Sequence, residues 1–99
     1  MSRRVYELSQ EADKDLDEIF DYTQKEFGFD QAVKYLTQFE DLFALMVDNP
    51  ALGKKREEIR SGLRSFPMAE HVVFYRILKD RIRIVRVLHG SRDLPKFLS

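Results

Sequence analysis

YRILKDRIRIVRVLHGSRD, residues 75–93, decides the fold. It holds two apolar runs laced with arginine, divided at Lys79-Asp80 and ending in a polar tip with His89, Ser91, Arg92 and Asp93. A strand packed on helices hides one face and wets the other, so arginine at two-residue spacing builds a positive ribbon on a rigid sheet. Residues 71–78 and 81–89 read as a hairpin, and residues 63–68 read as the strand before them, across a short turn at Ala69-Glu70. Such a ribbon is expected to face something anionic. One detail breaks the alternation: Arg81 and Arg83 share a face, yet Arg86 falls with Ile82, Ile84 and Leu88. Either a bulge shifts the register, or the strand is central and Arg86 is held in a polar contact, as a site residue or in an ion pair with a helix carboxylate.

Upstream, residues 50–62 form a polar connection with a basic cluster at Lys54, Lys55 and Arg56. Before it lie two helices. Residues 4–8 alternate as a short strand, and Ser9 is a good cap for a helix with Ala12, Leu16, Ile19, Phe20, Thr23 and Phe27 along one stripe, stopped by Gly28. The carboxylates Asp13, Asp15, Asp17, Glu18 and Asp21 fall elsewhere around that wheel. Asp30 is a candidate cap for a second helix with Ala32, Leu36, Phe39, Phe43 and Met46 inward, widened by Val33, Leu42 and Val47 and closed by Asn49-Pro50. A connection of two or three residues makes the pair an antiparallel hairpin. The predicted fold is α+β, in the order β-α-α-β-β-β, with an antiparallel sheet covered on one side by the two-helix hairpin.

The chain has 99 residues, room for one domain with one two-layer core. Its 17 basic and 17 acidic residues cancel overall. They do not cancel locally: residues 1–49 hold 5 Lys/Arg against 12 Asp/Glu, and residues 50–99 hold 12 against 5. The molecule is therefore bipolar, a pattern that favours an anionic partner for the second half or mutual attraction of the halves. Absence of cysteine removes disulfide and thiolate chemistry and fits a reducing compartment. No apolar run reaches signal-peptide or membrane-span length, so the expectation is a soluble, cytoplasmic protein without a membrane partner.

Little of the usual catalytic equipment is present. The two histidines lie 18 residues apart, the carboxylates lack a metal-ligand spacing, and no glycine-rich phosphate cradle or nucleophile elbow occurs. Metal-free RNA cleavage is the one enzymatic option with candidate groups: cations at Arg64, Arg76, Arg86 and Arg92, and a proton carrier at His89.

Three segments, YELSQEADKDLDEIFDYTQKEFG (residues 6–28), DNPALGKKREEIRSGLRSFP (48–67) and HVVFYRILKDRIRIVRVLHGSRD (71–93), together resemble the RelE/ParE superfamily of small bacterial toxins over nearly the whole chain. The resemblance implies one of two activities: ribosome-dependent cleavage of messenger RNA in the RelE branch, or inhibition of DNA gyrase without nuclease activity in the ParE branch. Phe97 and Leu98 stand where a RelE-like tyrosine would be expected, and Ser91 where such nucleases often carry lysine, leaving Arg92 as the retained cation. HGSRD and SQEADKDLDEIF look closer to ParE. The implied protein is a non-enzymatic toxin of a type II toxin–antitoxin system that acts on DNA gyrase through its A subunit and is neutralised by a ParD-like antitoxin. The alternatives are a RelE-type nuclease and a non-toxic binding module of the same fold. Candidate target contacts are Arg64, Arg76, Arg86, His89 and Arg92, and candidate antitoxin contacts are Tyr22, Tyr35, Phe39, Leu42, Arg81 and Arg83. No catalytic residue, metal, cofactor or sequence-specific nucleic-acid contact is expected.

Overall fold

The structure is a computed structural model that describes residues 5–91; Arg92, Phe97 and Leu98 lie outside them. Strand β1, Val5–Leu8, runs into helix α1, Gln10–Phe27. Ser9 caps that helix, its hydroxyl accepting the Ala12 N–H at 2.9 Å, while Glu11 and Asp13 sit at the positive end of the helix dipole. Gly28, at φ 95°, is the entire connection to helix α2, Phe29–Asp48. Asp30 consequently lies inside the first turn of α2 rather than at its cap, and no side chain caps that helix.

After a single 3₁₀ turn at Pro50–Leu52 come strands β2 (Lys54–Lys55), β3 (Leu63–Met68), β4 (His71–Ile77) and β5 (Arg81–His89). The sheet order is β1-β5-β4-β3-β2. The α+β class and the predicted element order hold, but the sheet is mixed rather than wholly antiparallel, because β1 pairs parallel with β5, from Val5↔Arg81 to Leu8↔Ile84. Strand β5 buries Ile82 and Ile84 toward the helices and then Val87 and Leu88 on opposite faces, so it lies inside the sheet with a neighbour at each edge, and β1 takes the second edge. The fifth strand, β2, arises inside the expected linker. Two lysines without alternation carry no strand signal of their own.

Both helices cover one face of the sheet. Phe39, Phe43 and Met46 from α2 and Ala12 and Leu16 from α1 pack on Val73, Tyr75, Ile82, Ile84 and Val87. A smaller cluster of Leu63, Phe74 and Leu88 occupies the opposite face, with Ile59 and Val72 against it. Phe39 is 0% exposed and Leu42 is buried, so these two candidate antitoxin contacts lie in the core rather than at the surface. Phe27, predicted inward, is instead 69% exposed at the hairpin tip, where α1 has outrun the sheet. The Tyr75 hydroxyl ties the 3₁₀ turn to the sheet by accepting the Gly53 N–H at 2.6 Å and donating to the Pro50 carbonyl at 2.8 Å. A Cβ on Gly53 would lie 2.6 Å from the Tyr75 ring, so only glycine fits there.

Candidate functional site

Strand β1 stops at Leu8, so past Ile84 the outer edge of β5 has no strand beside it among the described residues. An unpaired buried edge is costly, and two side chains from the start of α1 take over the pairing. Ser9 donates its N–H to Ile84 O at 3.0 Å and its hydroxyl to Val85 O at 2.7 Å. Asp15 accepts the Val87 N–H at 2.9 Å and grips Arg86 through two further bonds, Nε at 2.9 Å and Nη2 at 3.0 Å.

Between them the ladder shifts register: Phe74 pairs with Arg86 and Tyr75 with Ile84, leaving Val85 as the extra residue of a bulge. Both readings of Arg86 are therefore realised, a bulge and a central strand with a buried polar partner. The carboxylate of Asp15 raises the Arg86 guanidinium above its ordinary range, despite opposing burial, and engages both its Nε and its Nη2. Asp15 lies three residues after Ala12 and four before Ile19. That spacing puts it on the inward stripe of α1, a signal present in the sequence but masked by the neighbouring surface carboxylates.

Beside this pair, α1, α2 and the ends of β4 and β5 enclose an open groove of about 700 Å³. Its wall is apolar and aromatic at Ile19, Tyr22, Phe27, Tyr35, Val87 and Leu88. Glu18 and Glu70 add negative charge, and among the described residues neither lysine nor arginine lines it. On its floor Tyr35 Oη and His71 Nδ1 are 2.7 Å apart, and the His71 ring meets His89 edge-to-face at 5.3 Å between centroids. Burial, reinforced by the charge of Glu70, pushes the Tyr35 hydroxyl above its usual range. His89 Nδ1 lies 2.7 Å from Ser91 Oγ, and its Nε2 lies 3.8 Å from Glu70. His71 and Glu70 escaped the sequence reading, because nothing in a turn of Ala69-Glu70 foretells which groove it will border.

The predicted target contacts are dispersed. Arg64 donates to Gly53 O at 2.7 Å near β2, His89 borders the groove, and Arg76 stands on the face of the sheet away from the helices. Arg81 and Arg83, expected as partner contacts, share that open face. Both bind one oxygen of Glu7, at 2.7 and 2.9 Å, and together they hold its carboxyl below the ordinary carboxylate range. Tyr22 and Tyr35 both line the groove. Among the described residues no group of three or more His, Asp or Glu is placed to hold a metal ion, and no helix is long and apolar enough to cross a membrane.

Comparison with known proteins matches residues 6–94 to the family described as ParE toxin of type II toxin-antitoxin system, parDE. The chain is 37% identical over 90 residues to Toxin ParE1 of Caulobacter vibrioides, covering 91% of this chain and 93% of that protein. It is 38% identical over 99 residues to Toxin ParE1 of Mycobacterium tuberculosis, covering 99% and 100%. A solved structure described as the chromosomal ParDE TA system from P. aeruginosa has the same fold, with a TM-score of 0.75, 20% identity, and coverage of 88% of this chain and 95% of that one. By fold, length and residue identity the chain belongs to the ParE toxin family of type II toxin–antitoxin systems.

Proposed function

We propose that this toxin inhibits DNA gyrase in the cytoplasm without catalysing a reaction of its own, and that a ParD-like antitoxin neutralises it by ordering a segment in the groove between Tyr22 and Tyr35. The observation that carries the reading is the occupation of Arg86. A phosphodiester-cleaving site needs a free cation beside a proton carrier, and here the cation nearest His89 on β5 is held by Asp15 while Glu18 and Glu70 line the adjoining groove. An RNA backbone entering there would meet carboxylates. A partner segment with apolar anchors and a cation toward Glu18 and Glu70 suits the same walls, and the relative from P. aeruginosa is described as a ParDE system.

Purified toxin added to gyrase, ATP and supercoiled plasmid should yield linear DNA or lost supercoiling, and the antitoxin should reverse it. No effect over a wide range of toxin concentration would falsify the proposal. The proton-carrying set Tyr35, His71 and His89 supports one alternative, a ribosome-dependent nuclease. Translating ribosomes on a defined message decide it: cleavage that disappears in Tyr35→Phe and His71→Gln would replace gyrase with the ribosome as target.

A further inference from the structure

The open face of the sheet concentrates arginine without enough carboxylate to balance it. Arg76 on β4 lies directly opposite Arg83 on β5, and Arg83 lies directly opposite Glu7 on β1. Like charges facing each other across adjacent strands destabilise a sheet. Three guanidinium groups, those of Arg76, Arg81 and Arg83, have only Glu7 and the exposed Asp80 as partners, and among the described residues Arg76 has no ion pair. Gly62, at φ 78°, lies beside the Arg76 head, where a Cβ would come within 3.4 Å of its Nη2, and Arg76 is half-buried.

The side chains of Arg81 and Arg83 are about two-fifths exposed, and all three arginines stand on strands, so their spacing is fixed by the ladder. The two grooves along α1 include none of them. A peptide bound here would find charge but no groove for its side chains. A phosphate backbone asks only for charge and forked donors, and arginine supplies both.

We propose that the sheet face around Arg76, Arg81 and Arg83 binds the phosphodiester backbone of duplex DNA without reading its sequence, with the acidic helix layer turned outward. The bipolar charge of the chain favours this orientation at a distance, and among the described residues no helix stands on this face to enter a groove and read bases. The contact deepens the gyrase reading and rests on it for its biological setting, since gyrase holds a duplex.

The test is fluorescence anisotropy of a labelled 20-base-pair duplex of scrambled sequence, titrated with the full chain at several salt concentrations. Three phosphate contacts give a log–log slope near −2.7, and loss of one should reduce its magnitude by about 0.9. Arg76→Ala and Arg83→Ala should each show that reduction, whereas Glu7→Gln, which removes the neutralising carboxylate, should tighten binding. Urea melts of each variant identify any loss caused by unfolding, and in that event Glu7→Gln alone decides. Unchanged binding in all folded variants, no binding by the parent at 50 mM salt, or equal displacement by polyglutamate and by unlabelled duplex overturns the proposal. Plasmid linearisation by gyrase is read in parallel. Linearisation without duplex binding sinks the DNA contact alone, and duplex binding without linearisation sinks the gyrase reading alone.

Discussion

Strand β5 meets a carboxylate from the N-terminal half twice, and the two meetings differ in kind. Glu7 reaches Arg81 and Arg83 from the neighbouring strand with its side chain 35% exposed. Asp15 reaches Arg86 from α1 with its side chain 10% exposed, and it also takes a backbone N–H that no strand is there to take. The first is a surface pair, screened by salt and water. The second completes a ladder. The difference teaches that an arginine repeated along a strand has no single meaning: its role follows from whether the facing carboxylate substitutes for missing secondary structure.

The sharpest way to break the comparison is Asp15→Ala, which orphans Arg86 and the Val87 amide together and should cost about 3 to 5 kcal/mol in a urea melt. A loss under 1 kcal/mol would put Asp15 in the same class as Glu7. Asp15→Leu combined with Arg86→Met should recover the part of the loss owed to the orphaned charge, while the Val87 amide, still without an acceptor, keeps a deficit of about 1 to 3 kcal/mol. Next is Tyr75→Phe, which leaves the buried Gly53 N–H and Pro50 carbonyl without their hydroxyl and should cost about 1 to 3 kcal/mol. Ser9→Ala removes the α1 cap and the bond to Val85, for about 1 kcal/mol, read as a fall of roughly 4 to 8 °C in Tm.

Glu7→Gln should produce the smallest change in stability, and its signature is dependence on pH and salt. The carboxyl of Glu7 titrates lower in the folded chain than in the unfolded one, so its contribution is present above the unfolded value and lost as pH falls through the folded one. Melting curves of parent and variant should differ at neutral pH, converge in acid and converge in high salt. Curves that stay parallel in acid would mean that Glu7 acts by packing alone.

How much of this was legible beforehand depended on whether the signal was periodic or merely local. The stripes of α1 and α2, the β3-β4-β5 meander and the anomaly at Arg86 all follow from spacing within one element. The parallel pairing of β1 does not, because it joins residues 76 apart in sequence, and a four-residue strand carries no record of its neighbour. Asp15 was readable from its place three after Ala12. Phe27 misled because a helical stripe says which way a side chain points but not how far the sheet beneath extends. The stripe of α2 is wide enough to suggest apolar surface beyond the sheet at Phe39 and Leu42, yet both are buried in the core. The groove itself, bordered by His71 and Glu70 from one turn and Tyr35 from a distant helix, exists only in three dimensions.

The side-by-side placement of β1 and β5 also bears on how the protein is made. During synthesis β1 and the helices emerge first, yet the middle of their floor is the last of the described strands to be translated, and β1 has nothing to lie against until that strand appears. Long-range pairing of this kind is slow to form and leaves apolar helix surface uncovered while it waits. Until β5 clears the ribosome the two helices lack the middle of their floor, and for that interval the nascent chain is a client for whatever can shield a bare pair of helices.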